Sequence, residues 1–144
     1  MVDALRRAHR MVNPAGSVVD LHPSAAPASV EVAGCRTGHV DADDAPLRHA
    51  AAGVALAAVI EEVLFAVDRT VVFSFYTYGD TIEELRDHVV ENWRNARIGD
   101  ETVERTREVL RSASGVRPRI REEVHLTTLR PLTPRSARGA AVVA

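Results

Sequence analysis

Apolar positions recur at helical spacing from the start of the chain. Leu5, Ala8, Met11 and Val12 share one face, with Arg6, Arg7 and Arg10 outside it, which predicts a helix over residues 3–12. Pro14 and Gly16 then turn the chain into Ser17–Leu21, whose adjacent valines read as a buried strand. After the proline-bounded loop at 23–27, positions 29–33 alternate around Val30 and Val32. A turn at Gly34–Gly38 and a return over Thr37–Val40 predict a small hairpin. Asp43, Asp44 and Pro46 mark a helix start, with an acceptor and negative charge where backbone N–H groups are unpaired. That helix is expected to reach Leu64. Its middle, Ala50 to Ile60, is apolar nearly all round, which predicts cover on more than one side.

Residues 69–78, rich in Val, Phe, Tyr and Thr, form the clearest strand. Gly79 ends it, and Asp80-Thr81-Ile82-Glu83 resembles a capping box opening a helix with Ile82, Leu85, Val89 and Trp93 on one face. A second short helix follows Gly99-Asp100 and carries Val103, Val109 and Leu110. Residues 119–129 close the pattern as a strand with Ile120, Val124 and Leu126 on one face. The proline-containing stretch 131–144 reads as a flexible C-terminal tail, leaving 1–130 as a single domain. The expected class is α+β: a small sheet of about three to five strands with covering helices.

The opening passage, Leu5-Arg6-Arg7-Ala8-His9-Arg10-Met11-Val12-Asn13-Pro14-Ala15-Gly16-Ser17-Val18-Val19-Asp20-Leu21-His22-Pro23, resembles the helix, R-x-L-x-P-G-G turn and strand of class I S-adenosylmethionine (SAM)-dependent methyltransferases. Val12 stands where that pattern has Leu, and Pro14-Ala15-Gly16 where it has Pro-Gly-Gly. In those enzymes the passage begins the rear half of a Rossmann-like fold. The resemblance therefore implies that residues 17–21, 69–78 and 119–129 correspond to the family's last three strands, the final one inserted antiparallel between the other two. Helices over 81–112 would then be an insertion. It also implies a methyltransferase-like half domain lacking the donor-binding front half.

No G-x-G-x-x-G loop and no acidic residue ending a second strand occur, so neither SAM nor a dinucleotide is expected as a cofactor of this chain. Net charge of −2 and a pI near 6.3 give no field that seeks nucleic acid. All 18 basic residues are Arg, which together with abundant Ala fits a high-GC bacterium rather than phosphate recognition. A single cysteine, Cys35, excludes an intramolecular disulfide, and together with the lack of a membrane-length apolar run or signal peptide it predicts a cytoplasmic protein.

Candidate chemistry centres on Asp20 and His22, two apart on one strand and therefore on the same face, at the carboxyl end where open αβ sheets bind ligands. They would serve as a catalytic acid–base pair, with Asp20 orienting His22. The alternative is that Asp20 caps backbone while His22 packs beside Pro23. Tyr76 and Tyr78 share a strand face and are the candidate substrate-binding residues, or else simply cover a sheet. His39, Asp41, Asp43, Asp44 and His49 lack fixed ligand spacing, and no metal is expected. Glu61 or Glu62 is expected to reach an arginine such as Arg69, and Glu122 and Glu123 to lie on an exposed strand making cross-strand ion pairs.

These readings converge on a small-molecule-binding or protein-interaction module. The rivals are a cofactor-independent cyclase- or isomerase-type enzyme and the non-donor-binding subunit of a split methyltransferase. A homodimer, or a partner chain, is expected to cover the Ser17–Leu21 edge.

Overall fold

The computed structural model describes residues 1–132. The chain is α+β, with four helices and six strands: α1 (Val2–Met11), β1 (Val18–Pro23), β2 (Ser29–Val32), β3 (Cys35–Ala42), α2 (Ala45–Glu61), β4 (Phe65–Tyr78), α3 (Ile82–Asn92), β5 (Ala96–Ile98), α4 (Asp100–Ser112) and β6 (Pro118–Pro131). Strands link by hydrogen bonds in the order β1-β6-β2-β3-β5, with β4 also on β6. Among the described residues no helix is long and apolar enough to cross a membrane.

Two compact units emerge, one from residues 1–22, 49–72 and 125 onward, the other from 23–48 and 73–124. In the first, β6 lies between β1 and β4. Its core joins Leu5 of α1, Val59 of α2, Phe65 of β4 and Leu129 of β6. Asn13 makes the turn that leads into β1: its side chain accepts from the Ala15 N–H and its carbonyl from the Gly16 N–H. Helix α2 buries the stripe Ala52, Ala55 and Val59 but leaves Ala50, Ala51, Gly53 and Ala57 exposed and Val54 71% exposed. Among the described residues, the expected cover on several sides is thus absent. Alanine explains the pattern, since its small apolar area makes exposure cheap. Glu62 pairs with Arg6 of α1, at 3.0 and 2.5 Å, rather than with Arg69. The strand begins at Phe65, four residues earlier than the pattern suggested, and β6 continues to a buried Pro131. The remainder of the expected tail, 133–144, lies outside the described residues.

The second unit packs α3 and α4 on a sheet through Val30, Val40, Ile82, Leu85, Val89, Ile98, Val103 and Ile120. The β2–β3 hairpin is closed by two residues, Ala33 (φ 51°) and Gly34 (φ 83°), with Val32 opposite Cys35. Positive φ at both central positions matches the twist of the flanking strands, so the turn is tighter than the expected Gly34–Gly38 loop. Thr81 caps α3, accepting from the Glu84 N–H, while Glu84 accepts from the Asp80 N–H; the capping box therefore ends at Glu84 and not at Glu83. Strand β5 pairs with β3, Val40 opposite Ile98, and turns the supposed helical pair into α3-β5-α4. The Thr106 hydroxyl donates to the Thr102 carbonyl and lies 2.7 Å from the Thr37 hydroxyl, tying α4 to β3 inside the core.

Candidate functional site

Alternation along β1 puts Val18, Asp20 and His22 on its half-buried side and leaves Val19 and Leu21 exposed. Asp20 and His22 meet there as the spacing of two requires. His22 Nδ1 lies 2.7 Å from Asp20 Oδ2, with the side chains only 17% and 10% exposed. Such a contact holds the Nδ1 proton toward the carboxylate and leaves Nε2 as the free lone pair. A third residue completes the group: the His125 ring of β6 stacks on His22, with centroids 5.6 Å apart and planes 7° from parallel. His125 is 103 residues from His22 in the chain, and only the pairing of β1 with β6 could have exposed it.

Tyr76 and Tyr78 belong to the second unit. Their rings are 6.2 Å apart and both remain partly exposed. Arg119 lies over the Tyr76 ring, 4.4 Å from its centroid, and Arg117 lies 5.7 Å from that of Tyr78. Arg119 also grips the Glu31 carboxylate at 2.9 and 3.1 Å, with Arg121 at 3.7 Å from it and bonded to the Ser74 hydroxyl. Hydrogen bonds to Tyr78 and Glu31 raise the pKa of Arg119. Glu31, with 8% of its side chain exposed, was not a sequence candidate. It is a charge whose burial depends on those arginines. Arg119 and Arg121 therefore pair with Glu31, whereas the expectation for this strand was an exposed Glu122–Glu123 pair. Glu122 is instead half-buried, and burial pushes its carboxyl pKa up.

His39 pairs with Asp41 at 3.1 Å, and Asp44 with Arg48 at 3.2 Å. No group of three His, Cys, Asp or Glu among the described residues is arranged to hold a metal ion. Among the described residues, open clefts in the second unit include one of about 410 Å³ beside Ile82 and Leu110 and one of about 380 Å³ beside Asp41 and Trp93. Neither is lined by Asp20, His22, Tyr76 or Tyr78.

A nucleoside cofactor would need glycines where a strand turns into a helix. Single glycines occupy two such turns, Gly79 before α3 and Gly99 before α4, each followed by Asp. At Gly79 a Cβ would lie 2.8 Å from Leu85, so core packing uses the space that a ligand would need. These residues do not fit SAM. No protein family, curated protein or solved structure matches this chain.

Proposed function

We propose that this chain is a methyltransferase-like module with no SAM-dependent activity of its own, which works by binding a small molecule or another protein. The observation that carries the reading is the edge of β1. Among the described residues this strand ends the sheet path and pairs with β6 alone, and it holds Val19 58% and Leu21 59% exposed. Open apolar strand edges are normally covered or paired, so an edge in this state favours a partner. The position of β6 between β1 and β4 supports the methyltransferase-like element of the reading, because the resemblance calls for that order. A separate donor-binding chain pairing along the same edge would make the protein one subunit of a split enzyme.

Calorimetric titration with SAM and with S-adenosylhomocysteine tests the reading. No saturable heat is expected at micromolar protein, and saturable micromolar binding by the pure chain would overturn it.

The Asp20–His22 contact favours a second reading, a cofactor-independent enzyme in which Asp20 holds the imidazole and His22 Nε2 takes and returns a proton. Long-range ¹H–¹⁵N spectra provide a test that needs no substrate. Neutral His22 is expected as the Nδ1–H form, and Asp20→Asn is expected to abolish that preference. An Nε2–H ring in the unsubstituted protein would leave Nε2 without its lone pair and remove the acid–base role. Under the same reading His22→Ala ends turnover while the melting temperature changes little; a large loss of stability with activity retained makes His22 a packing residue.

A further inference from the structure

Strand β4 runs for 14 residues, and among the described residues its strand partner is β6. From Thr70 to Gly79 it carries no charge and no proline. Phe73 and Phe75 on one face, and Tyr76 and Tyr78 on the other, are 36–53% exposed. Natural edge strands of this length are usually blunted by devices such as an inward-pointing charge or a proline, and residues 70–79 carry neither.

We propose that the outer edge of β4 is the interface with a second copy of this chain, the two strands pairing antiparallel about a two-fold axis at Phe75. The proposal deepens the interaction reading and rests on it. Two-fold pairing within one continuous sheet keeps each side chain on its face, so a residue faces one of the same parity. Centred on Phe75, Phe73 faces Thr77 and Ser74 faces Tyr76, while Val72 faces Tyr78 and Val71 faces Gly79. In these pairs a bulkier side chain meets a smaller one, and the exception, Phe75 against its own counterpart, is an aromatic pair on the axis. Centring one step back, on Ser74, would set Asp68 against Asp80, which like-charge repulsion disfavours. The strand is thus complementary to itself and offers no charge by which a foreign strand would be read. The exposed parts of the four rings total roughly 700 Å² over two copies and edge pairing covers only a part of that, below the ~1,200 Å² of a standard interface, so the dimer should dissociate on dilution.

Sedimentation or light scattering across a concentration series tests the interface. The unsubstituted chain is expected to move from 15.7 kDa toward twice that mass at tens of micromolar. Phe75→Lys and Phe75→Asp, both checked by circular dichroism for folding, are each expected to remain monomeric, because each sets like charges on the axis. Mixing the two variants is expected to restore a dimer, because opposite charges then meet where the two β4 strands cross. A 15.7 kDa species at every concentration overturns the proposal, as does a folded Phe75→Lys that still dimerises. Dimers broken by Leu21→Lys but not by Phe75→Lys would also overturn it, and would leave the binding-module reading standing on β1.

Discussion

Gly38→Ala is expected to destabilise the protein by about 3 kcal/mol, the upper end of the usual penalty for overpacking. Gly38 lies on β3 where α4 crosses closest. A methyl group there would lie 2.1 Å from Thr102 Oγ1, 2.5 Å from its Cγ2 and 2.7 Å from its Cβ. Rotating Thr102 clears the first two contacts. It cannot clear the third, because Cβ is fixed to the helix, so α4 must move away from the sheet. That movement strains the hydroxyl pair between Thr37 and Thr106 and the burial of Val103. For a chain of this size the loss corresponds to a fall of very roughly 10 °C in melting temperature. Thr102→Gly removes every atom in the clash, at about 1 kcal/mol for glycine inside a helix. The double variant should therefore be more stable than Gly38→Ala alone, a coupling that a double-mutant cycle measures directly. A melting temperature unchanged by Gly38→Ala would mean that α4 does not approach β3 this closely.

The same crossing shows how far the sequence carries. Helices α1, α3 and α4 were legible because Leu5, then Ile82, Leu85 and Val89, then Val103 fall at helical spacing, and a pattern over ten or more residues outweighs local ambiguity. Strand β5 was not. Ala96, Arg97 and Ile98 carry no alternation of their own, and only pairing with Val40, Asp41 and Ala42 makes them a strand. Nor was the division into two units. In β6 burial falls on Ile120 and Val124 in the first half and on Thr127 and Leu129 in the second, so the parity changes within a strand that looks uniform in sequence. Glu122 lies in the first half on the same parity as Ile120, which accounts for its half-buried carboxyl.

The candidate sites divide along the same line. Asp20 and His22 were legible because a two-residue spacing in a strand fixes their side. His125, Glu31 and Arg119 needed long-range pairings that no local pattern specifies: β1 on β6 for the first, and Glu31 opposite Arg119 across β2 and β6 for the other two. That the tyrosines share a face follows from their spacing, whereas the stacking of Arg117 and Arg119 on them depends on the long-range pairing of β4 with β6.

Phe65→Ala is expected to have a larger effect than Gly38→Ala, about 3–5 kcal/mol, because it removes a fully buried aromatic ring. Phe65 is 1% exposed and packs with Leu5, Val59 and Leu129. His9 meets its ring edge-on, with centroids 5.2 Å apart, while His9 Nε2 lies 3.1 Å from the Leu132 carbonyl. Alanine at this position leaves a void that neighbouring side chains can fill only in part. The group that would have to relax includes both helices of the first unit, since Leu5 belongs to α1 and Val59 to α2. Phe65→Leu refills most of the volume and should recover more than half of the loss, which separates a cavity effect from any special role of the aromatic ring. Urea denaturation monitored by circular dichroism gives both values. The first unit is also the one that positions Asp20, His22 and His125, so His22 should lose its Nδ1–H signature as Phe65→Ala unfolds. An alanine variant within about 1 kcal/mol of the unsubstituted protein would mean that Phe65 does not organise this core.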